Sequence, residues 1–216
     1  MKTLFLQAPS FDGFDGGAGS RYQAKREIRS FWYPTWLAQP AALIADSRVL
    51  DAPADSLTVE ATLDIAAQYE LVVIHTSTPS FPSDALFAEH LKQRAPSILI
   101  GVVGAKVAVD PHNSLTASDG IDFVCREEFD YTCKDIAEGR PFAEIQGLSY
   151  RAKDGSIEHN AARPILENMD ELPFVAPVYK RDLNLKNYFI GYLNYPYVSI
   201  YTGRGCRSRC TFCLWP

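Results

Sequence analysis

Short apolar runs alternate with stretches of helical periodicity from residue 1 to about 140, and this alternation restricts the fold more than any other feature. The runs are Thr3–Gln7, Arg48–Asp51, Leu71–Thr76, Ile98–Val103 and Asp122–Cys125, with β-branched enrichment in the third and fourth. Between them Val59, Leu63, Ala66 and Ala67 share one helical face, as do Phe129, Cys133, Ile136 and Ala137. Ser83–Ala95 repeats the theme with Leu86, Phe87 and Leu91. It stops before Pro96, because the residue preceding a proline resists the helical region. Apolar strands alternating with helices predict an α/β fold with a doubly wound parallel sheet covered on both faces. Ligands of such sheets sit beyond the carboxyl ends of the strands. The loops there are Gln7–Gly19, Thr76–Pro82, Gly104–Pro111 and Arg126–Phe129. His75, ending the third run, either faces that crevice or is a satisfied structural residue.

From about residue 141 the pattern changes. Leu148–Arg151 and Ser156–His159 flank Asp154-Gly155, a hairpin signal because the turn requires positive φ. Pro164, Pro173 and Pro177 then punctuate a linker with little periodicity, and Tyr197–Tyr201 alternates as a strand. The expected division is 1–140 for the α/β domain, 141–195 for hairpin and linker, and 196–216 for the start of a further domain. Tyr188, Phe189, Tyr192, Tyr195 and Tyr197 either line a substrate path or pack the linker against that further domain. A net charge of −5 leaves no broad basic surface, so nucleic acid is not expected as a partner. Arg21, Lys25, Arg26 and Arg29 form the local exception, as a solvated face or an anion-binding loop. No run approaches the roughly 18 apolar residues of a membrane span, and the N-terminal run is too short for a signal peptide. A reducing cytoplasm is therefore expected, with peripheral membrane contact still compatible.

Three cysteines stand as Cys206-x-x-x-Cys210-x-x-Cys213. Three thiolates this close can hold three irons of a 4Fe-4S cluster and leave the fourth open, whereas electron-transfer clusters usually have four cysteine ligands. A zinc site wants four tight ligands, and the nearest further candidates, His159 and Cys133, are far upstream. A disulfide framework fits poorly with five cysteines and no sign of secretion. Buried structural thiols are the third alternative, against which Arg207, Ser208 and Arg209 interleave the set. Cys125 and Cys133 read as ordinary core residues.

The cysteine spacing, with Phe212 before the last thiol, resembles the signature of the radical S-adenosylmethionine (SAM) enzymes. Val198-Ser199-Ile200-Tyr201 leading into it is similar to the first strand of their barrel. The upstream domain resembles the cobalamin-binding, Rossmann-like domain that precedes that barrel in a large subgroup, and Glu167-Asn168-Met169-Asp170-Glu171-Leu172-Pro173 resembles the joining linker. Within the subgroup, three segments resemble the hopanoid-biosynthesis enzymes: Gly104-Ala105-Lys106, Cys125-Arg126-Glu127-Glu128-Phe129-Asp130-Tyr131-Thr132 and Tyr201-Thr202-Gly203-Arg204-Gly205-Cys206. The resemblance implies Cys206, Cys210 and Cys213 as cluster ligands and Phe212 beside the adenine of SAM. It also implies reductive SAM cleavage fed by flavodoxin or ferredoxin. The implied substrate is a small or lipid-linked molecule, a hopanoid side chain whose aminosugar contracts to a cyclitol ether.

For cobalamin the resemblance points to the loops holding Gly104 and Glu128. The Asp-x-His-x-x-Gly pattern that supplies a cobalt ligand in related mutases is absent, since Asp12 and Gly16 bracket no histidine. Gly104-Ala105-Lys106-Val107 replaces Gly-Gly-x-His, and Glu127-Glu128-Phe129-Asp130 replaces Gly-Glu-Gly-Glu. Missing glycines matter because glycine permits close backbone approach to a bulky ligand. A cobalamin-dependent methyltransferase, a tetrapyrrole oxidative cyclase and a non-catalytic corrinoid-binding module are the competing expectations. A radical SAM barrel needs several βα units, so these 216 residues are expected to be inactive alone.

Overall fold

The computed structural model of the chain describes residues 1–11, 32–205 and 211. Five parallel strands carry it: β1 (Thr3–Gln7), β2 (Ser47–Asp51), β3 (Leu71–His75), β4 (Leu99–Val103) and β5 (Phe123–Cys125). The antiparallel hairpin β6 (Leu148–Arg151) and β7 (Ile157–His159) continues the sheet from β5, giving the order β2-β1-β3-β4-β5-β6-β7. Its turn is closed by Gly155 at φ +86 and by the Asp154 carboxylate, which accepts from the Ser156 amide at 3.0 Å.

Strand side chains alternate between two cores. Phe5, Val49, Val73, Val103 and Phe123 face helices α1 (Thr35–Leu43) and α6 (Asp130–Ala137). Leu4, Leu6, Val72, Ile74, Ile100 and Val124 face the other layer: α2 (Val59–Ala66), α3 (Phe81–Arg94), α4 (Ala105–Val109) and α5 (Pro111–Thr116). Each such fully buried side chain contributes about 1.5–3 kcal/mol. A seventh helix, α7 (Ala176–Asp182), packs on α1 and β2 and completes the first layer with Val178 and Tyr179. Local chemistry sets the helix ends. The Thr58 hydroxyl caps α2 by accepting from the Ala61 amide at 3.2 Å, and α3 ends at Arg94 ahead of Ala95 at φ −142 and Pro96.

Three expectations need correction. Gly104–Pro111 is not a loop: α4 starts at Ala105 and α5 at Pro111. The proline-punctuated linker holds α7, with Pro177 at the helix start where its missing amide costs nothing. Val198–Tyr201 forms no strand among the described residues, because a strand needs a hydrogen-bonded neighbour and none of the described strands pairs with it.

Candidate functional site

Because β3 lies on the opposite side of β1 from β2, the chain reverses direction across the sheet between β1 and β3, and the crevice opens at their carboxyl ends. The last residues of both strands meet there. His75 Nδ1 is 3.1 Å from Gln7 Oε1, and its ring lies 5.0 Å from that of Trp36 in α1. At 7% exposure His75 is built into the crevice wall, in keeping with the structural role considered from the sequence.

The loop after β3 is polar inside. Ser77 and Ser80 hydroxyls stand 2.9 Å apart, and the Ser77 amide donates to Ser80 Oγ at 3.0 Å. Beneath them Asp84 is 3% exposed. Burial pushes its carboxyl up to about 7, against the downward pull of hydrogen bonds from Thr76 and Ser80. Its Oδ2 has no partner among the described residues. Gly104, between β4 and α4, has φ +129, and a Cβ there would sit 2.1 Å from the Thr76 carbonyl oxygen. The loops after β3 and β4 are thus in backbone contact, which requires glycine at this point.

The loop after β5 is committed to the linker. Glu127 takes a left-handed φ of +54, and Glu128 Oε2 accepts from the Leu166 amide at 2.9 Å. Glu128, Asp130, Arg163, Ile165 and Glu171 line a cavity of about 360 Å³. From α7 onward the linker crosses the carboxyl edge from the β2 side to the β5 side. Tyr188 is buried, stacks on Tyr33 at 4.3 Å and donates to Asp51 Oδ2 at 3.0 Å. The Tyr33 hydroxyl donates to the Tyr197 carbonyl at 2.8 Å. Tyr179 donates to the Ser199 carbonyl at 3.1 Å, so its oxygen accepts from Thr35 Oγ1 at 2.6 Å. Burial raises the Tyr33, Tyr179 and Tyr188 hydroxyls, and pushes Tyr197 up to about 12, so all four remain protonated at neutral pH. The crossing ends where Arg204 Nη2 donates to Asp130 Oδ1 at 3.0 Å while Nη1 engages Oδ2. The pair is largely buried, at 18% and 5% side-chain exposure.

The tyrosine-rich stretch therefore divides: Tyr188 and Tyr197 pack inward, whereas Tyr192 is 77% exposed and flanks a second cavity with Leu193, Val198 and Ile200. Cys206, Cys210, Cys213 and Phe212, the basic residues Arg21, Lys25, Arg26 and Arg29, and the far part of Gln7–Gly19 lie outside the described residues. Among the described residues no group of three or more His, Cys, Asp or Glu could hold a metal ion. Cys125 and Cys133 are buried free thiols 3.9 Å apart, as core residues should be, and burial raises Cys133 well above its ordinary value. No described helix is long and apolar enough to cross a membrane. Sequence reasoning passed over Asp130, Tyr33 and Tyr179. Arg204 and Asp130 stood within quoted motifs, but 74 residues apart they carry no periodic signal.

No family model matches the chain. It is 28% identical over 198 residues to an uncharacterized methyltransferase of Pyrococcus horikoshii, covering 88% of this chain and 42% of the relative. Among solved structures, the cobalamin-dependent SAM radical enzyme OxsB, with aqua-cobalamin and SAM bound, matches at TM-score 0.57 and 14% identity over 76% of this chain and 23% of its own. The radical SAM methyltransferase TsrM from Kitasatospora setae, with cobalamin and a 4Fe-4S cluster bound, matches at TM-score 0.55 and 13% identity over 80% and 31%. The mostly parallel α/β sheet is thus the fold of the matching parts of OxsB and TsrM, as the Rossmann-like reading expected. The chain spans less than half the length of each of these proteins.

Proposed function

We propose that the chain is the N-terminal part of a cobalamin-dependent radical SAM enzyme that transfers a methyl group, with residues 196–216 opening its SAM-cleaving domain. One observation carries the reading: the linker delivers Arg204 and Gly205, immediately before Cys206, to the carboxyl edge where this sheet topology binds ligands. The donor set fits the cluster, since three thiols within eight residues leave one iron unligated by protein. At that edge Gln7 and Thr76 are buried, and half-buried Ser77, near Gly104, is the polar group that the amide fringe of a corrinoid would meet. No histidine occurs in residues 8–31, and His75 is engaged by Gln7 and Trp36, so this domain is expected to hold a corrinoid without a histidine ligand to cobalt. The bound groups supply an electron to cleave SAM and a carrier for the methyl group. The chain's own residues seat them and exclude water. An external one-electron reductant of the flavodoxin or ferredoxin type is required.

The relative from Pyrococcus and TsrM are both methyltransferases by name, which favours methyl transfer. The ring contraction on a hopanoid side chain rests on the three short motifs alone. The test is anaerobic reconstitution of the full-length protein with iron and sulfide, with and without cobalamin. Cobalamin-dependent methylation that Cys210→Ala abolishes is the expected result. 5′-Deoxyadenosine formed without cobalamin or methylation would favour the hopanoid reading, and corrinoid binding with no cluster would overturn both.

A further inference from the structure

We propose that Asp130 is a positioning residue for the cysteine loop, acting through Arg204 as the last of three ties that hold residues 197–204 on the sheet's edge. This rests on the cluster assignment above. The segment makes no ladder pairing among the described residues, and side chains of the preceding domain hold it at three points. Tyr33, just ahead of α1, holds the Tyr197 carbonyl; Tyr179 of α7 holds that of Ser199; Asp130, the first residue of α6, holds the Arg204 guanidinium with both oxygens. Each anchor sits on an element packed into the same core, alongside Leu37, Val178, Cys133 and Ile136.

The third tie matters most for the cysteines. Arg204 precedes Cys206 by two residues, a reach of about 7 Å between Cα atoms. A bidentate guanidinium–carboxylate pair fixes direction as well as distance. Gly205 between them has φ +77, a left-handed step that turns the chain directly after the tie. Taking two charges out of water costs about as much as their attraction returns, so such a pair is better suited to holding one geometry than to adding stability. Glu128 adds a second negative charge near Arg204, and its own carboxylate fastens the Leu166 amide. The β5–α6 loop and the first residue of α6 therefore hold the linker at two points.

The test uses the full-length protein carrying Asp130→Asn, which keeps shape and removes charge. Chymotryptic cleavage after Tyr201, which requires the segment to leave the sheet's edge, should accelerate about tenfold while the strands of the sheet stay uncut. Iron content should stay near wild type. The change that SAM induces in the electron paramagnetic resonance spectrum of the reduced cluster should weaken, with 5′-deoxyadenosine formation falling about tenfold. Asp130→Glu should restore part of both. Arg204→Gln is the second variant, should Asp130→Asn not fold, and should behave the same way. Wild-type cleavage after Tyr201 with an unaltered response to SAM, in either variant, would overturn the proposal. If the wild-type protein forms no cluster, the cleavage result still decides the tether while the parent reading fails by itself.

Discussion

Asp84 is a buried acid whose ordinary value of 3.8 is raised to about 7, mainly because burial disfavours its charged form. The folded state keeps a proton that the unfolded chain releases near pH 4. The group's favourable contribution is therefore complete below about pH 4 and is lost as pH rises through about 7. Asp84→Asn should remove that dependence, raising Tm by about 3–8 °C at pH 8 with little change near pH 4. Parallel Tm-against-pH curves for the two proteins would refute the buried neutral acid. Nothing about Asp84 is visible in its neighbours in sequence, since its burial follows from how the β3 loop folds over α3. The cysteine triplet lies outside the described residues and rests on its spacing alone. The Arg204–Asp130 tie was not legible, because only the tertiary path of the linker brings its ends together.

At the scale of elements, strands buried on both faces announced themselves. Thr3–Gln7 was expected and found with the same ends, and the β3, β4 and β5 ends moved by one residue. The hairpin was readable from Asp154-Gly155. Helices α1, α5 and α7, each with a proline, were not. Pro34 precedes α1 and Pro40 lies inside it, so propensity argued against a helix that tertiary burial of Leu37, Ala38 and Ala41 sustains. Tyr197–Tyr201 alternates as a strand does and forms none among the described residues. Gly104 joins two elements, and the φ and the Thr76 contact together predict that Gly104→Ala costs about 2–4 kcal/mol. A shift of the urea midpoint at unchanged slope measures this. A midpoint equal to wild type would mean that the β3 and β4 loops stand further apart.

Across the whole molecule, the α1–α6 face is closed by residues far down the chain. Val178 and Tyr179 of α7 join its core, and Tyr188 meets Asp51 across 137 residues. A protein ending at residue 160 keeps all seven strands but exposes Tyr33, Leu37 and Val49. It should bind a hydrophobic dye and melt without a sharp transition, whereas one ending at residue 190 should unfold cooperatively. A sharp calorimetric transition for the shorter protein would show that the face needs no lid. During synthesis at about 5–20 residues per second, the sheet leaves the ribosome with that face bare. It stays so until α7 emerges, an interval of a few seconds in which a chaperone has a defined apolar surface to protect.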